Sequence, residues 1–168
     1  DEVLISMTDI DKTLELSESE LQVEKSEVES KKDEKTKPLT KDEELTKQWK
    51  EIDNKVEKIH KDWNNYEVES MKKGASVEKG KNFKKNLNSF TIAVENRNIP
   101  GIMDMGSRTM SSLAFFFDLY KDEIKGDLSR IKYAAYQAYL NATNGNVTNA
   151  NKLLGPTEEY VTRVRQKL

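Results

Sequence analysis

The sequence predicts an all-α protein: an up-and-down antiparallel bundle of four to five helices behind a polar N-terminal tail. Three observations carry this expectation. Beyond residue 40, apolar residues recur at steps of three and four, the spacing that lines one face of a helix. Short turn signals built from Gly, Asn or Pro separate these periodic stretches. Seven Gly and three Pro in 168 residues are too few for a turn-rich sandwich or barrel, and no stretch reads as a core strand.

The first helix is expected from about Lys41. Thr40 suits the N-cap, and Glu43 three residues later completes a capping box. Leu45, Trp49, Ile52, Val56, Ile59, Trp63 and Tyr66 alternate steps of four and three, a heptad seam. Lys47–Glu51 and Glu51–Lys55 add opposite-charge pairs one turn apart. Gly74 is placed to end the helix, giving a rod roughly 50 Å long. Trp49 and Trp63, two heptads apart, are expected at the bundle centre.

Ser76 opens a second helix carrying Val77, Phe83, Leu87, Phe90 and Val94 on one face. The link Gly74-Ala75-Ser76 is short, so the second helix should run antiparallel to the first. Asn96-Arg97-Asn98 ends it, and Pro100 fits the first turn of a third helix. That helix carries Ile102, Met103, Met110, Leu113, Phe117, Tyr120 and Ile124. Gly126-Asp127 is read as the break, with Asp127 capping a fourth helix whose seam is Leu128, Ile131, Ala135, Ala138 and Ala142. Asn144-Gly145-Asn146 signals a turn. The last segment, Val147 to Leu168, should kink at Gly155-Pro156, because Pro lacks a donor and clashes with the preceding turn.

The composition divides the chain into two regions. Residues 1–38 carry 12 acidic and 6 basic residues, and Ser17 to Lys37 is Ser-, Glu- and Lys-rich without an aromatic. Such a stretch cannot bury enough apolar surface to offset its ordering entropy, so 1–38 is expected to be an acidic linker or tether. Residues 39–168, the expected bundle, carry a net charge of +4. Of 28 basic residues only 5 are Arg. Bidentate reading of phosphates and bases favours Arg, so no specific nucleic-acid partner is expected. No run approaches the roughly 18 apolar residues of a membrane span. The chain starts at Asp1 without Met, as a processed product would.

The chemistry available is narrow. There is no Cys, and His60 is the only imidazole, so thiol catalysis, zinc thiolate sites and multi-histidine metal sites are excluded. Glu57 and His60 form a single Glu-x-x-His pair, whereas a di-iron bundle needs two plus further carboxylates. Met103, Met105 and Met110 are soft thioethers in one stretch, but Met is also an ordinary core filler. No cofactor or metal is therefore expected. Two surfaces stand out as binding candidates. Lys72, Lys73, Lys79, Lys81, Lys84 and Lys85 face only Glu78 around the first corner, a net of +5 suited to an anionic surface. Tyr133, Tyr136 and Tyr139 form an aromatic ridge of a kind enriched at interfaces. Asn141-Ala-Thr143 and Asn146-Val-Thr148 match glycosylation acceptors, which matter only in a eukaryotic secretory pathway.

One pattern is familiar. Trp49…Ile52…Ile59-His60…Trp63-Asn64…Tyr66, then Phe83…Leu87-Asn88…Thr91…Val94, then Phe116-Phe117…Tyr120 and a Tyr/Ala-rich helix, resembles uncharacterised small helical-bundle lipoproteins of Gram-positive cell envelopes. The resemblance covers about residues 40–168. It implies a bundle joined by a charged linker to a lipidated Cys that this chain does not contain, and hence an extracellular or cell-surface location. It carries no known activity and no functional residues. The leading expectation is a non-enzymatic extracytoplasmic bundle that binds a protein or an anionic envelope surface, or plays a structural role. Two alternatives are a bundle that binds a small ligand or metal, and a cytosolic assembly or adaptor subunit pairing through the heptad face.

Overall fold

A computed structural model of the protein describes residues 41–168; the expected linker at 1–38 and the Thr40 cap lie outside the described residues. The described residues form α1 (Lys41–Lys72), α2 (Val77–Glu95), α3 (Ile99–Leu119), α4 (Glu123–Thr143), α5 (Val147–Leu154) and α6 (Thr157–Lys167). The fold is an all-α bundle in which α2 packs on α3, α3 on α4, and α4 on both α5 and α6. Helix α1 lies against α2 and reaches α3 through its aromatic rings.

Most helix ends follow from local chemistry. After α1, Gly74 donates to Met71 O and Ala75 to Ser70 O, a Schellman closure that puts Gly74 at φ +87°. The Ser76 hydroxyl accepts from Lys79 N and caps α2. Asn98 caps α3, with Pro100 in its first turn, and Asn146 caps α5. The break at Gly155-Pro156 separates α5 from α6.

The α3–α4 corner differs from the expectation. Helix α3 stops at Leu119, and Asp122, not Asp127, caps α4 by accepting from Lys125 N. The closure has the same two-bond form as at Gly74: Lys121 N donates to Asp118 O and Asp122 N to Phe117 O. Here the left-handed residue is Lys121, at φ 61°, so no glycine marks the turn. Ile124 accordingly belongs to α4. Gly126 is not a breaker but a buried helix residue where α3 and α4 approach closely. A Cβ there would clash with the Asp118 carboxylate and come within 3.1 Å of Arg130 Nη1 and 3.4 Å of Ala114 O.

The seam of α1 is buried from Ile52 through Val56, Ile59, Trp63 and Tyr66, and Ser70 extends it. Trp63 is stacked on Phe83 at 3.9 Å between centroids and meets Phe116 edge-on at 5.2 Å. Phe90, Leu87, Met110, Leu113 and Phe117 complete this core. Trp49 is not central. It is half-buried at the margin, with the Arg97 guanidinium 4.5 Å over its ring, and Leu45 before it is 36% exposed. The reason is length. Helix α1 has 32 residues and its antiparallel partner α2 only 19, so the first turns of α1 run past the end of α2. Arg97, just after α2, pairs with Asp53 of α1 through both terminal nitrogens, at 2.6 and 2.8 Å.

Candidate functional site

Three regions bear on function: the lysine corner, the tyrosine ridge, and the grooves between helices.

The six lysines do not converge. Lys72 pairs with Glu69 at 2.7 Å and Lys84 with Glu67 at 2.6 Å. Lys73 lies over the Tyr120 ring and Lys79 over the Phe115 ring, at 5.0 and 5.2 Å. Lys81 and Lys85 are exposed and have no carboxylate partner among the described residues. The helical repeat explains the scatter. Phe83, Leu87 and Phe90 define the buried side of α2. Lys79 and Lys84 then fall on opposite flanks of that side, and Lys81 and Lys85 point away from it.

The tyrosine ridge is also divided. Residues three apart drift by about 60° around a helix, so the ridge winds across the surface of α4. Tyr133 lines a groove over α3 with Ser111, Ser112 and Phe115. Tyr136 and Tyr139 line a shallow, mostly apolar depression of about 260 Å³ with Met103 and Ala135. Met110 is fully buried, and Met105 packs partly against the core, so the three methionines do not form one site.

The groove at Tyr133 has a volume of about 350 Å³ and is built from three helices. Helix α2 supplies Lys79, Asn82 and Asn86, at steps of three and four on one flank. Helix α3 supplies the floor, Arg108, Ser111, Ser112 and Phe115, again on one stripe. The Asn86 amide donates to Ser112 Oγ at 2.7 Å and to Arg108 O at 3.4 Å, while Ser112 donates to Arg108 O at 2.9 Å. Arg108 is held from behind by Asp104, whose carboxylate accepts its Nε at 2.9 Å. Asp104 also accepts from the buried Gln137 of α4 at 2.7 Å. Among the described residues, two cations line the groove and no carboxylate does. Except for Lys79 and Tyr133, its lining was not singled out from the sequence. The usable signal was the polar stripe Arg108-Ser111-Ser112 on an otherwise apolar helix, in register with Lys79-Asn82-Asn86 on its neighbour.

A second groove of about 620 Å³ lies between α1 and α2, around His60 and Thr91. Asp53 and Arg97 pair there, and Glu57 and Glu95 alongside leave its lining acidic. The His60 Nε2 and the Thr91 hydroxyl are 2.8 Å apart. This has the look of a base and nucleophile, but Thr91 Oγ1 donates its proton to Leu87 O at 2.9 Å. His60 must then be the donor to Thr91, so the hydroxyl is not activated by the imidazole. Burial lowers the His60 pKa from its usual 6.5, which favours this neutral form. Among the described residues no three His, Asp or Glu side chains gather to hold a metal, and no helix is long and apolar enough to cross a membrane.

Comparison of the chain with protein-family models, with curated proteins and with solved structures returns no match.

Proposed function

We propose that this protein is a non-enzymatic binding module that engages an anionic polymer or surface through the outward side of α2. The observation that carries the reading is the state of Lys81 and Lys85 among the described residues: exposed, without carboxylate partners there, and next to a groove whose charged lining residues, among those described, are Lys79 and Arg108. Exposed ammonium groups on one helix side attract a polyanion without fixing its sequence or shape. A place on the outside of a cell, tethered through the acidic stretch 1–38, suits such a role and is the location the lipoprotein resemblance implies. The non-enzymatic part of the reading is supported by the His60–Thr91 pair, where the hydroxyl proton is directed to Leu87 O and away from the imidazole.

The test is binding to anionic phospholipid vesicles. Affinity should fall roughly tenfold between about 0.02 M and about 0.15 M salt, since exposed charges are screened within about 8 Å at the higher value. The double variant Lys81→Gln/Lys85→Gln should lose most of the binding at an unchanged melting temperature. Binding that ignores salt, or survives in the double variant, would refute the proposal.

A further inference from the structure

We propose that the groove bounded by α2, α3 and α4 is a recognition site for an acidic carbohydrate, taking one carboxylate-bearing sugar of a chain. This deepens the reading of the basic α2 side and rests on it. Three features of the groove define the ligand together.

The first is charge. Lys79 and Arg108 stand on two helices at the groove, and among the described residues no carboxylate lines it. Asp104 binds only the Nε of Arg108, and the terminal guanidinium nitrogens have no other partner among the described residues. A guanidinium fixed by Nε keeps its remaining N–H groups for a planar carboxylate.

The second feature is unspent acceptors. The amide nitrogens of Asn82 and Asn86 are committed to Ser112 Oγ, at 3.4 and 2.7 Å. That leaves both amide oxygens as acceptors without a partner among the described residues. A bare inorganic anion has little to donate to them. A ligand that is both negatively charged and rich in hydroxyl donors satisfies cations and acceptors at once, and an acidic sugar is such a ligand.

The third feature is the aromatic lining. Tyr133 contributes a ring at the α4 wall, suited to the C–H face of a pyranose. The Phe115 ring is covered by Lys79 Nζ, 5.2 Å from its centroid, which leaves no second ring to clamp a nucleobase. The volume of about 350 Å³ is within the usual range for small-ligand sites, about 300–1,000 Å³. The groove is open, as it must be to hold an internal unit of a chain.

The experiment uses the full chain and trigalacturonate, followed by calorimetry and by saturation-transfer NMR. Maltotriose, inorganic phosphate and adenosine monophosphate serve as comparison ligands. The expected result is saturable binding of trigalacturonate, transfer to its ring C–H protons, and at least roughly tenfold weaker binding of the neutral trisaccharide. Tyr133→Ala and Arg108→Gln should each weaken binding by roughly tenfold, the loss of a single good contact. Both residues are outside the hydrophobic core, so circular dichroism should show an unchanged fold. Lys81→Gln/Lys85→Gln should leave trigalacturonate binding within about twofold while abolishing the vesicle binding described above. That separation makes the two readings fail independently. Four outcomes would overturn the inference: no saturable binding of trigalacturonate, equal binding of maltotriose, full displacement by phosphate without any C–H transfer, or a preference for the nucleotide.

Discussion

The two ends of the bundle are held by different forces. From Ile52 to Phe117 the helices share an aromatic core in which Trp63, Tyr66, Phe83, Phe90, Phe116 and Phe117 are all almost fully buried. Beyond it, α4 buries Gly126, Asp127, Ser129, Ala134, Gln137 and Ala138, while α6 has no buried residue. Helix α6 is fastened by charge. Arg163 donates from Nε and Nη2 to the two oxygens of Asp127, at 2.9 and 2.7 Å, and Asp127 is 3% exposed. Arg130 also contacts Asp127 and pairs with Asp118 of α3, and Lys167 pairs with Glu123 of α4. Apolar burial is non-directional and forgiving, whereas a buried carboxylate is stable only while its partners stay in place. The first region should therefore unfold globally, and the second should be able to open on its own.

The largest effect expected is at the aromatic centre. Trp63→Ala removes the ring stacked on Phe83 and should destabilise the protein by about 3–5 kcal/mol, seen as a single cooperative shift in denaturant unfolding. A loss below about 1 kcal/mol would show that the aromatic contacts do not dominate this half.

Asp127→Asn is the corresponding test of the charged end. Hydrogen bonds to a charged group contribute about 1.5–3 kcal/mol each, so a loss of about 2 kcal/mol is expected. Hydrogen exchange should speed up across 157–167 while the amides around Trp63 stay protected. Uniform loss of protection would mean that the two ends form one cooperative unit. The Arg163 hydrogen bonds hold the Asp127 carboxyl below its usual 3.8. Their stabilisation is thus complete above that pH and is lost as pH falls through the lower folded value. Acid should loosen α6 before the aromatic core.

A smaller effect of opposite sign is expected at the corner joining the two regions. Lys121 holds φ 61°, a conformation that costs a side-chain-bearing residue about 1–2 kcal/mol. Lys121→Gly should stabilise the protein by about 0.5–1 kcal/mol after allowing for the freer unfolded chain. A destabilised variant would mean that the lysine side chain matters more than the backbone strain.

The smallest effect is the pH response of the α1–α2 groove. Burial lowers the His60 pKa below 6.5, so the unfolded chain binds the proton more readily. Stability from this group is complete above 6.5 and declines as pH falls through that value toward the folded pKa. His60→Asn should flatten stability between about pH 7 and about pH 5. An unchanged slope would place the titration elsewhere.

The helices, their antiparallel order and the buried stripe of α1 were legible because one helix face repeats every three to four residues. The Gly74, Ser76, Pro100 and Gly145 signals were legible because a cap or turn acts within a few positions. The lysine corner could be seen only as a run of charge. The Glu69–Lys72 pair lies three residues apart on α1 and was within reach of spacing, but spacing gave no account of Glu67 of α1 neutralising Lys84 of α2. The groove at Arg108 showed in the sequence only as two polar stripes, and that these face each other beside Tyr133 depends on how three helices pack.

By itself, then, the sequence determined where the helices form and most of the stripe that α1, α2 and α3 bury, since local hydrogen bonding and periodic burial are written within one or two turns. On α4 the expected seam was wrong, with Leu128, Ala135 and Ala142 exposed and Asp127, Ser129, Ala134 and Gln137 buried beside Ala138, because the packing of α3, α5 and α6 sets which side of α4 is covered. Tertiary structure decided the rest. Asp127, a plausible cap in the sequence, became the buried anchor for an arginine 36 residues away. Gly126, a plausible break, became the point where α3 and α4 meet closely. Trp49 lost its central place because α2 ends before reaching it. Each outcome depends on the relative placement of helices, and that placement is fixed by contacts between residues far apart in the chain, which no local pattern encodes.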